Sequence, residues 1–173
     1  MAQIQDKIVK KFSDASTALR QTYKPMNTCL GEGSFGAVYL FKLRSDPSRE
    51  YAVKCMIKGA IDPEALRMAR EENAILSLFD HPNIVNYVEQ YEDNRYMYIV
   101  MEYLESATEL FEVIAKQRRI ILKDPSRSLD PIFPEDEVRR IMFMVMDALH
   151  HIHANRVIHR DLKPENCLID RDL

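Results

Sequence analysis

A carboxylate, a cation and an amide lie close together near the end of this 173-residue chain. Asp161, Lys163 and Asn166 belong to the run His-Arg-Asp-Leu-Lys-Pro-Glu-Asn, which begins at position 159. A carboxylate can orient an acceptor hydroxyl, an ammonium group can offset the charge of a migrating phosphate, and an amide oxygen can bind a metal ion. These three residue types, so close together, are therefore candidates for chemistry on a phosphate and a hydroxyl group.

A second candidate site is a glycine-rich segment. Three of the four glycines fall in one window, Gly-Glu-Gly-Ser-Phe-Gly from Gly31 to Gly36. This spacing also occurs in dinucleotide-binding folds, where the third glycine opens a helix. Here Gly36 opens the β-prone run Ala-Val-Tyr-Leu. A glycine loop between two strands lets backbone N–H groups approach phosphates because no Cβ intervenes. We expect a phosphate loop, and a plain hairpin loop is the alternative.

The surrounding pattern predicts a small β-rich lobe. β-prone runs occupy Pro25 to about Ile57, and two further strands are expected around Ile84–Tyr91 and Tyr96–Met101. A helix is expected from Pro63 to about Phe79, with Asp62 as its N-cap. One side of that helix carries Leu66, Ala69, Asn73, Leu76 and Phe79.

The second half of the chain reads as helical. Glu102–Thr108 is predicted to be a linker, Glu109–Lys116 a helix and Arg118–Phe133 a loop. A long helix should open at Pro134, with acidic residues at its positive end. Its apolar stripe is expected to be buried core. The stripe consists of Val138, Ile141, Met142, Val145, Met146, Leu149 and Ile152.

Residues 1–22 also show helical spacing of apolar side chains. The stripe holds Ile4, Ile8, Phe12, Ala15 and Leu19, with lysines on other faces. Such an amphipathic helix either packs on its own domain or docks a partner.

Composition limits the class of protein. Apolar residues make up 46% and charged residues 29%, which indicates a globular protein. The net charge of −3 gives no reason to expect nucleic acid or an anionic membrane as a partner. No apolar run approaches the ~20 residues of a membrane span. The three scattered cysteines suggest buried free thiols in a reducing compartment, so a cytoplasmic location is expected.

Taken together, these motifs resemble the eukaryotic protein kinase family, and its serine/threonine kinases in particular. The resemblance runs from about Thr22 to Leu173 and includes Ala-Val-Lys at Lys54 on the third strand. The runs HPNIV, ELF and KPEN lean toward the calcium/calmodulin-dependent group. Lys163 favours serine or threonine as the phosphate acceptor.

The resemblance implies an α+β, protein-kinase-like fold. It has a five-stranded antiparallel small lobe with one main helix, followed by the first helices of a mainly helical large lobe. The implied parts are an N-terminal helical extension (1–22), the small lobe (23–101), the hinge (102–108) and a partial large lobe (109–173).

The resemblance also implies site residues, with ATP and Mg²⁺ as cofactors and a protein bearing Ser or Thr as substrate. The catalytic residues would be Asp161, Lys163 and Lys54, with Glu72 as the ion-pair partner of Lys54 and Asn166 as a metal ligand. The nucleotide contacts would be Leu30, Gly31, Glu32, Gly33, Ser34, Phe35, Gly36, Ala37, Val38, Ala52, Lys54, Met101, Glu102, Leu104, Glu109 and Leu168. Met101 would be the gatekeeper and Glu109 the ribose ligand, although Ala107 and Thr108 replace two glycines that are common before that position.

The family places an Asp-Phe-Gly element about a dozen residues after the metal-binding Asn. Only seven residues follow Asn166 here. We therefore expect a fragment with little activity alone, whose long helix presents an uncovered stripe to solvent or to another chain. The alternatives are a naturally truncated pseudokinase that binds partners and a nucleotide-binding regulatory fragment.

Overall fold

The fold comes from a computed structural model that describes residues 16–33, 36–124, 126 and 130–169. The described residues form two compact units. The first unit holds residues 16–80 and 85–103, and the second holds residues 81–84 and 104–169. The chain passes from one unit to the other after Tyr103, within the segment predicted to be a hinge.

The first unit is built on a five-stranded antiparallel sheet in the order β1-β2-β3-β5-β4. The strands are β1 (Tyr23–Gly33), β2 (Gly36–Leu43), β3 (Glu50–Ile57), β4 (Tyr87–Glu92) and β5 (Tyr96–Glu102). The strand count, the pairing and the single main helix confirm the predicted small-lobe fold. β4 begins three residues later than expected, at Tyr87 rather than Ile84.

Alternation along the strands gives the sheet two different faces. On β3, Tyr51, Val53 and Cys55 enter one cluster of buried residues, which we call the first core. Met56 enters a separate cluster on the opposite side, the second core. Successive strand residues point to opposite faces, which explains the division. The first core contains Leu19, Tyr23, Ala37, Tyr39, Phe41, Tyr51, Val53, Cys55, Tyr98 and Val100, and the second contains Met56, Ile61, Met97 and Ile99.

A short helix, α1 (Thr17–Thr22), precedes the sheet and carries Leu19 into the first core, where its side chain is fully buried. Leu19 is the last member of the predicted N-terminal stripe. The rest of that predicted helix, residues 1–15, lies outside the described residues.

The main helix of the first unit is α2 (Pro63–Leu76). Its predicted N-cap is confirmed, because Asp62 Oδ1 accepts hydrogen bonds from the Glu64 and Ala65 N–H groups at 3.0 Å each. Ala65, Leu66 and Ala69 pack against the second core. The helix ends at Leu76 rather than Phe79, and Phe79 is buried just beyond it.

The second unit contains two helices and a small two-stranded sheet. These are β6 (Thr108–Glu109), α3 (Leu110–Leu122), α4 (Glu135–Ala154) and β7 (Leu168–Ile169). The prediction of a loop from Arg118 is wrong for residues 118–122, which continue α3. Ile121 in that last turn is buried, and the first proline able to stop the helix is Pro125.

The apolar stripe of α4 is only partly buried. Ala148 and Ile152 are buried near the end of the helix. Val138, Met142 and Met146 are 43%, 50% and 58% exposed, so the prediction that the stripe is core is wrong for these residues. In the first half of α4, Ile141 is partly buried, whereas Val138 and Met142 are exposed.

Two further expectations concern the whole chain. Cys29 is exposed, Cys167 is partly buried and only Cys55 is buried, so the prediction of uniformly buried thiols is wrong. All three are free thiols. In the described part of the chain, no helix is long and apolar enough to span a bilayer.

Candidate active site

The glycine window connects two antiparallel strands and does not lead into a helix. Gly33 pairs with Gly36, where β1 ends and β2 begins. Gly36 has φ +153°, and a Cβ on it would lie 2.0 Å from the carbonyl oxygen of Cys55. Only glycine fits this close approach to β3. A Cβ on Gly31 would meet nothing within 4 Å, so the backbone there is open to an approaching group.

The predicted contacts at the tip of the loop, Ser34 and Phe35, lie outside the described residues. Glu32 is exposed and pairs with Ala37 across the hairpin. Ala37 is buried in the first core, so its side chain faces away from the other predicted contacts on β2 and β3.

Four of the predicted nucleotide contacts lie on one face of the sheet. Val38 is the direct cross-strand partner of Lys54, and Ala52 is the partner of Met101. Residues directly opposite each other share a face, and Ala52 and Lys54 share a face because they are two apart. All four are partly buried on the side opposite the first core. Leu30 lies at an irregularity of β1 and is 38% exposed.

The expected ion pair between Lys54 and Glu72 is not formed. Glu72 is exposed, and in the described part of the chain neither side chain makes a salt bridge within 4.0 Å. The buried residue of that turn is Asn73, 3% exposed, whose Nδ2 lies 3.9 Å from the sulfur of Met97. Adjacent helix positions diverge by about 100°, so burial of Asn73 turns Glu72 away from the sheet. The catalytic role of Glu72 stays a prediction.

Some backbone groups of the segment predicted as the hinge already form hydrogen bonds within the protein. Glu102 N–H donates to the Asn86 carbonyl at 3.0 Å, and Glu102 Oε1 accepts from the Asn86 N–H at 2.7 Å. In the second unit, the Leu104 carbonyl accepts from the Ala107 N–H at 3.2 Å. The Leu104 N–H bonds to none of the described residues, so it remains available as a donor.

The run from His159 to Asn166, which we call the catalytic segment after its predicted role, gathers the three residues singled out by their chemistry. Lys163 Nζ lies 2.9 Å from Asp161 Oδ2. The side-chain amide of Asn166 donates to the same oxygen at 3.0 Å and to the Asp161 carbonyl at 2.7 Å. The hydrogen bond from Lys163 and then that from Asn166 hold the pKa of the Asp161 carboxyl below its usual range. Because its pKa is lowered, the Asp161 carboxyl is ionised at neutral pH. The side chain is exposed, and its contacts with Lys163 and Asn166 hold it in position.

The small sheet of the second unit anchors this segment. Glu109 pairs with Leu168 and Thr108 pairs with Ile169. The Leu110 N–H donates to the Cys167 carbonyl at 2.8 Å, which ties the start of α3 to the residue after Asn166. The structure thus brings together Glu109 and Leu168, which were predicted separately as nucleotide contacts.

Two backbone features were missed by the sequence reasoning. Arg160 has φ +67°, a left-handed conformation immediately before Asp161. The Cys167 carbonyl anchors the segment through its main chain. Neither residue type favours these features, so no signal in the sequence could have found them.

The comparison with known families decides the identity. The family described as "Protein kinase domain" matches residues 25–173. The chain belongs to the protein kinase family. The match covers the glycine window, the Lys54 strand and the catalytic segment, so the predicted resemblance is confirmed.

The named relatives are serine/threonine kinases. The chain is 33% identical over 141 residues to "Probable serine/threonine-protein kinase MARK-A" of Dictyostelium discoideum, covering 82% of this chain and 12% of that protein. It is 36% identical over 139 residues to "Calcium/calmodulin-dependent protein kinase type 1" of Macrobrachium nipponense, covering 80% of this chain and 36% of that protein. The chain therefore spans a minor part of the length of these kinases.

A solved kinase structure shares the fold. The structure of Rad53 in complex with AMP-PNP matches with a TM-score of 0.70 and 27% identity. The match covers 96% of this chain and 40% of that one. This agreement confirms the protein-kinase-like fold, of which the chain covers a part.

Magnesium is the metal that this family generally uses, and Asn166 is its predicted ligand among the described residues. The side-chain nitrogen of Asn166 is engaged with Asp161, which leaves its amide oxygen to face a cation. Among the described residues, no group of three His, Cys, Asp or Glu side chains could hold a metal ion. Among the described residues Asn166 could contact magnesium through that oxygen, and its role as a metal ligand stays a prediction.

Proposed function

We propose that this chain supplies the nucleotide-binding and acceptor-orienting parts of a protein serine/threonine kinase, which transfers the terminal phosphoryl group of ATP to Ser or Thr. The observation that carries the proposal is the fixed Asp161 carboxylate, bonded by Lys163 and Asn166 on one short segment. The named relatives are serine/threonine kinases, which supports the acceptor class.

Each residue has a role that follows from its contacts. The Asp161 carboxylate, ionised because its pKa is lowered, accepts a hydrogen bond from the substrate hydroxyl and orients it. The Lys163 ammonium, whose pKa is raised by Asp161, stays charged and offsets the charge on the migrating phosphoryl group. Asn166 orients Asp161 with its amide nitrogen and would contact magnesium through its oxygen.

The first unit would hold the nucleotide. The open backbone at Gly31 and the close approach at Gly36 suit phosphates, and Lys54 supplies a cation beside them. Val38, Ala52 and Met101 offer an apolar surface on the same face for the adenine ring. Magnesium would bridge the phosphates and neutralise their charge. The AMP-PNP complex of Rad53 supports a nucleotide ligand for this fold.

We propose that the 173-residue chain alone transfers phosphate at close to the background rate. Its described residues give magnesium one ligand, Asn166, and do not pair Lys54 with Glu72. A single group that stabilises charge in phosphoryl transfer can be worth ~10³–10⁵ in rate. The absence of the Lys54–Glu72 pair also favours the second candidate, a kinase-like module that binds nucleotide or partners without transfer.

Nucleotide binding and transfer separate these candidates. We expect Mg-ATP to raise the melting temperature of the chain, and Lys54→Ala to reduce the apparent affinity about tenfold by removing a charge-assisted contact. Asp161→Asn should leave binding unchanged, because Asp161 acts on the acceptor. Where the parent chain transfers a measurable amount of radiolabelled phosphate to a Ser/Thr peptide, both variants should lose this transfer.

Two results would contradict the proposal. Absence of a melting shift at millimolar nucleotide would remove the nucleotide site. Transfer by Asp161→Asn at the rate of the parent chain would contradict the acceptor-orienting role of Asp161. Nucleotide binding without any phosphoryl transfer would favour the regulatory module.

The setting of this function is also proposed. We propose that the protein is cytoplasmic, because its three cysteines are free thiols and such thiols persist in a reducing compartment. We also propose that it acts on protein substrates. We further propose that this chain associates with itself through the exposed stripe of α4, where Val138, Met142 and Met146 face solvent.

A further inference from the structure

A cationic groove lies at the end of the sheet where β1 begins and β2 ends. It is half open to solvent, has a volume of about 330 Å³ and is lined by Lys24, Met26, Lys42, Leu43, Arg44 and Pro47. Three of these six residues are cations and none is a carboxylate, in a chain whose net charge is −3. The groove is therefore a positively charged region in a chain whose net charge is negative.

The cations of the groove are held close together by the strands. Lys24 and Lys42 are direct cross-strand partners, an arrangement in which like charges destabilise the pairing of strands. Arg44 is fixed by two bonds: its N–H donates to the Thr22 carbonyl at 2.9 Å, and its Nε donates to the Arg20 carbonyl at 2.6 Å. The terminal nitrogens of Arg44 bond to none of the described residues.

The carboxylates of the neighbouring turn are already engaged. Glu50 lies 3.1 Å from Lys42 Nζ. Asp46 accepts from the Ser48 hydroxyl at 2.6 Å and from the Ser48 N–H at 3.2 Å, which lowers the pKa of Asp46. No carboxylate partners Lys24 among the described residues, and the three cations of the groove outnumber the two neighbouring carboxylates, Asp46 and Glu50.

We propose that this groove binds a phosphorylated serine or threonine on an extended peptide. A guanidinium fork with the ammonium group of Lys24 beside it matches the charge and the several acceptor oxygens of a phosphate ester. Met26, Leu43 and Pro47 provide an apolar wall for the carbon atoms of the peptide. β1 is an edge strand, so its outer side can bond to an extended backbone.

A peptide fits this groove better than a lipid surface does. Polybasic sites for anionic lipids usually present clusters of 4–8 cations. Here three cations line a half-open groove beside a strand edge. The groove is also separate from the nucleotide contacts, since six strand positions separate Gly36 from Lys42, or about 20 Å. Its occupancy can be measured independently of phosphoryl transfer.

The test is fluorescence anisotropy of a labelled phosphoserine peptide titrated with the 173-residue chain. We expect saturable binding that weakens about tenfold or more in Arg44→Gln and in Lys24→Gln, because each loses a charge-assisted contact. Inorganic phosphate should compete, and the unphosphorylated peptide should bind more weakly than the phosphopeptide. Arg95→Gln, an exposed cation on the turn between β4 and β5, is the matched control and should bind as the parent does.

Three outcomes would overturn the proposal. They are no saturable phosphopeptide binding, an equal loss in Arg95→Gln, and binding only to vesicles that contain phosphatidylserine. Melting temperatures of all variants show whether a loss of binding reflects unfolding. Lys24→Gln keeps the test usable if Arg44→Gln does not fold, because the Lys24 side chain makes no hydrogen bond or ion pair with the described residues, and its backbone pairing with Lys42 is kept in the variant.

Discussion

At the scale of single residues, the catalytic segment works as a set of mutually fixed charges. Asp161 is exposed, and an exposed carboxylate would normally sample several orientations. Lys163 and Asn166 both bond to its Oδ2 and reduce that freedom. The same two contacts lower the pKa of Asp161, so one arrangement determines both its position and its charge.

Removal of Lys163 should therefore be visible in the titration of Asp161. Lys163→Met removes the largest cause of the lowered pKa, and we expect the Asp161 pKa to move upward toward its ordinary value. The measurement is the carboxyl carbon shift of labelled Asp161 in an NMR titration from neutral to acid pH. Lys116→Met, which alters an exposed lysine on α3, is the control and should leave the titration of Asp161 unchanged.

An unchanged Asp161 titration in Lys163→Met would show that the contact at 2.9 Å does not persist in solution. The orienting role would then rest on Asn166 alone.

The sequence predicted which side chains come together where they lie close along the chain. It predicted this less well where the contact depends on how two elements are oriented. Asp161, Lys163 and Asn166 were found together because their spacing is local. The pairing of Lys54 with Glu72 depends on the rotation of a helix about its axis. The predicted helical stripe includes Asn73, which the structure buries, and burial of Asn73 turns Glu72 outward.

At the scale of elements, Glu92 at the end of β4 ties three elements of the first unit together. Its carboxylate accepts from Arg70 Nη2 on α2 at 2.5 Å and from Lys58 Nζ, after β3, at 2.6 Å. The hydrogen bonds from Arg70 and then Lys58 lower the pKa of Glu92 from 4.5 to about 2. α2 thus depends on this ion pair as well as on the second core.

The lowered pKa of Glu92 predicts how stability varies with pH. A carboxyl with a depressed folded-state pKa stabilises fully above its unfolded value, near 4.5, and this contribution is lost as the pH falls toward about 2. We expect Glu92→Gln to lower the free energy of unfolding by about 1–2 kcal/mol at pH 7, after allowance for solvent screening. The difference from the parent should shrink as the pH falls from 4.5 to 2.

Urea unfolding followed by circular dichroism, repeated across that pH range, measures this effect. Glu135→Gln is the control, since the Glu135 side chain is 89% exposed and its ion pair with Arg139 lies within one helix. A Glu92→Gln deficit that stayed constant down to pH 2 would assign the loss to packing rather than to charge.

Elements were predictable where local chemistry fixes them. Asp62 before Pro63 marked the start of α2, because a carboxylate cap and a first-turn proline act within one turn. Alternation located the strands of the sheet. The end of α3 was not predictable from composition, because charged residues at Arg118 and Arg119 masked a last turn that burial of Ile121 stabilises.

At the scale of the whole molecule, exposed apolar surface is concentrated on α4. Phe143 is 72% exposed and lies beside Met142 and Met146, which are 50% and 58% exposed. Sequence periodicity predicted an apolar stripe correctly, but it cannot say which part of a stripe another element covers. That depends on long-range packing.

The proposed association through α4 predicts that the mass of the chain in solution rises with concentration. Met142→Gln and Met146→Gln together remove apolar area while keeping helix propensity similar. Because burying a methionine is worth about 1.5–3 kcal/mol, each substitution should weaken association about tenfold or more. Light scattering coupled to size-exclusion chromatography over a range of concentrations measures it.

Leu78→Gln is the matched control, since Leu78 is 69% exposed but lies in the first unit, just beyond the end of α2. It should leave the association unchanged. A parent chain that stays monomeric at all concentrations, or an equal weakening by Leu78→Gln, would show that α4 is not the contact surface. If only the α4 variant associates more weakly, then a second copy of the chain covers the exposed apolar part of α4.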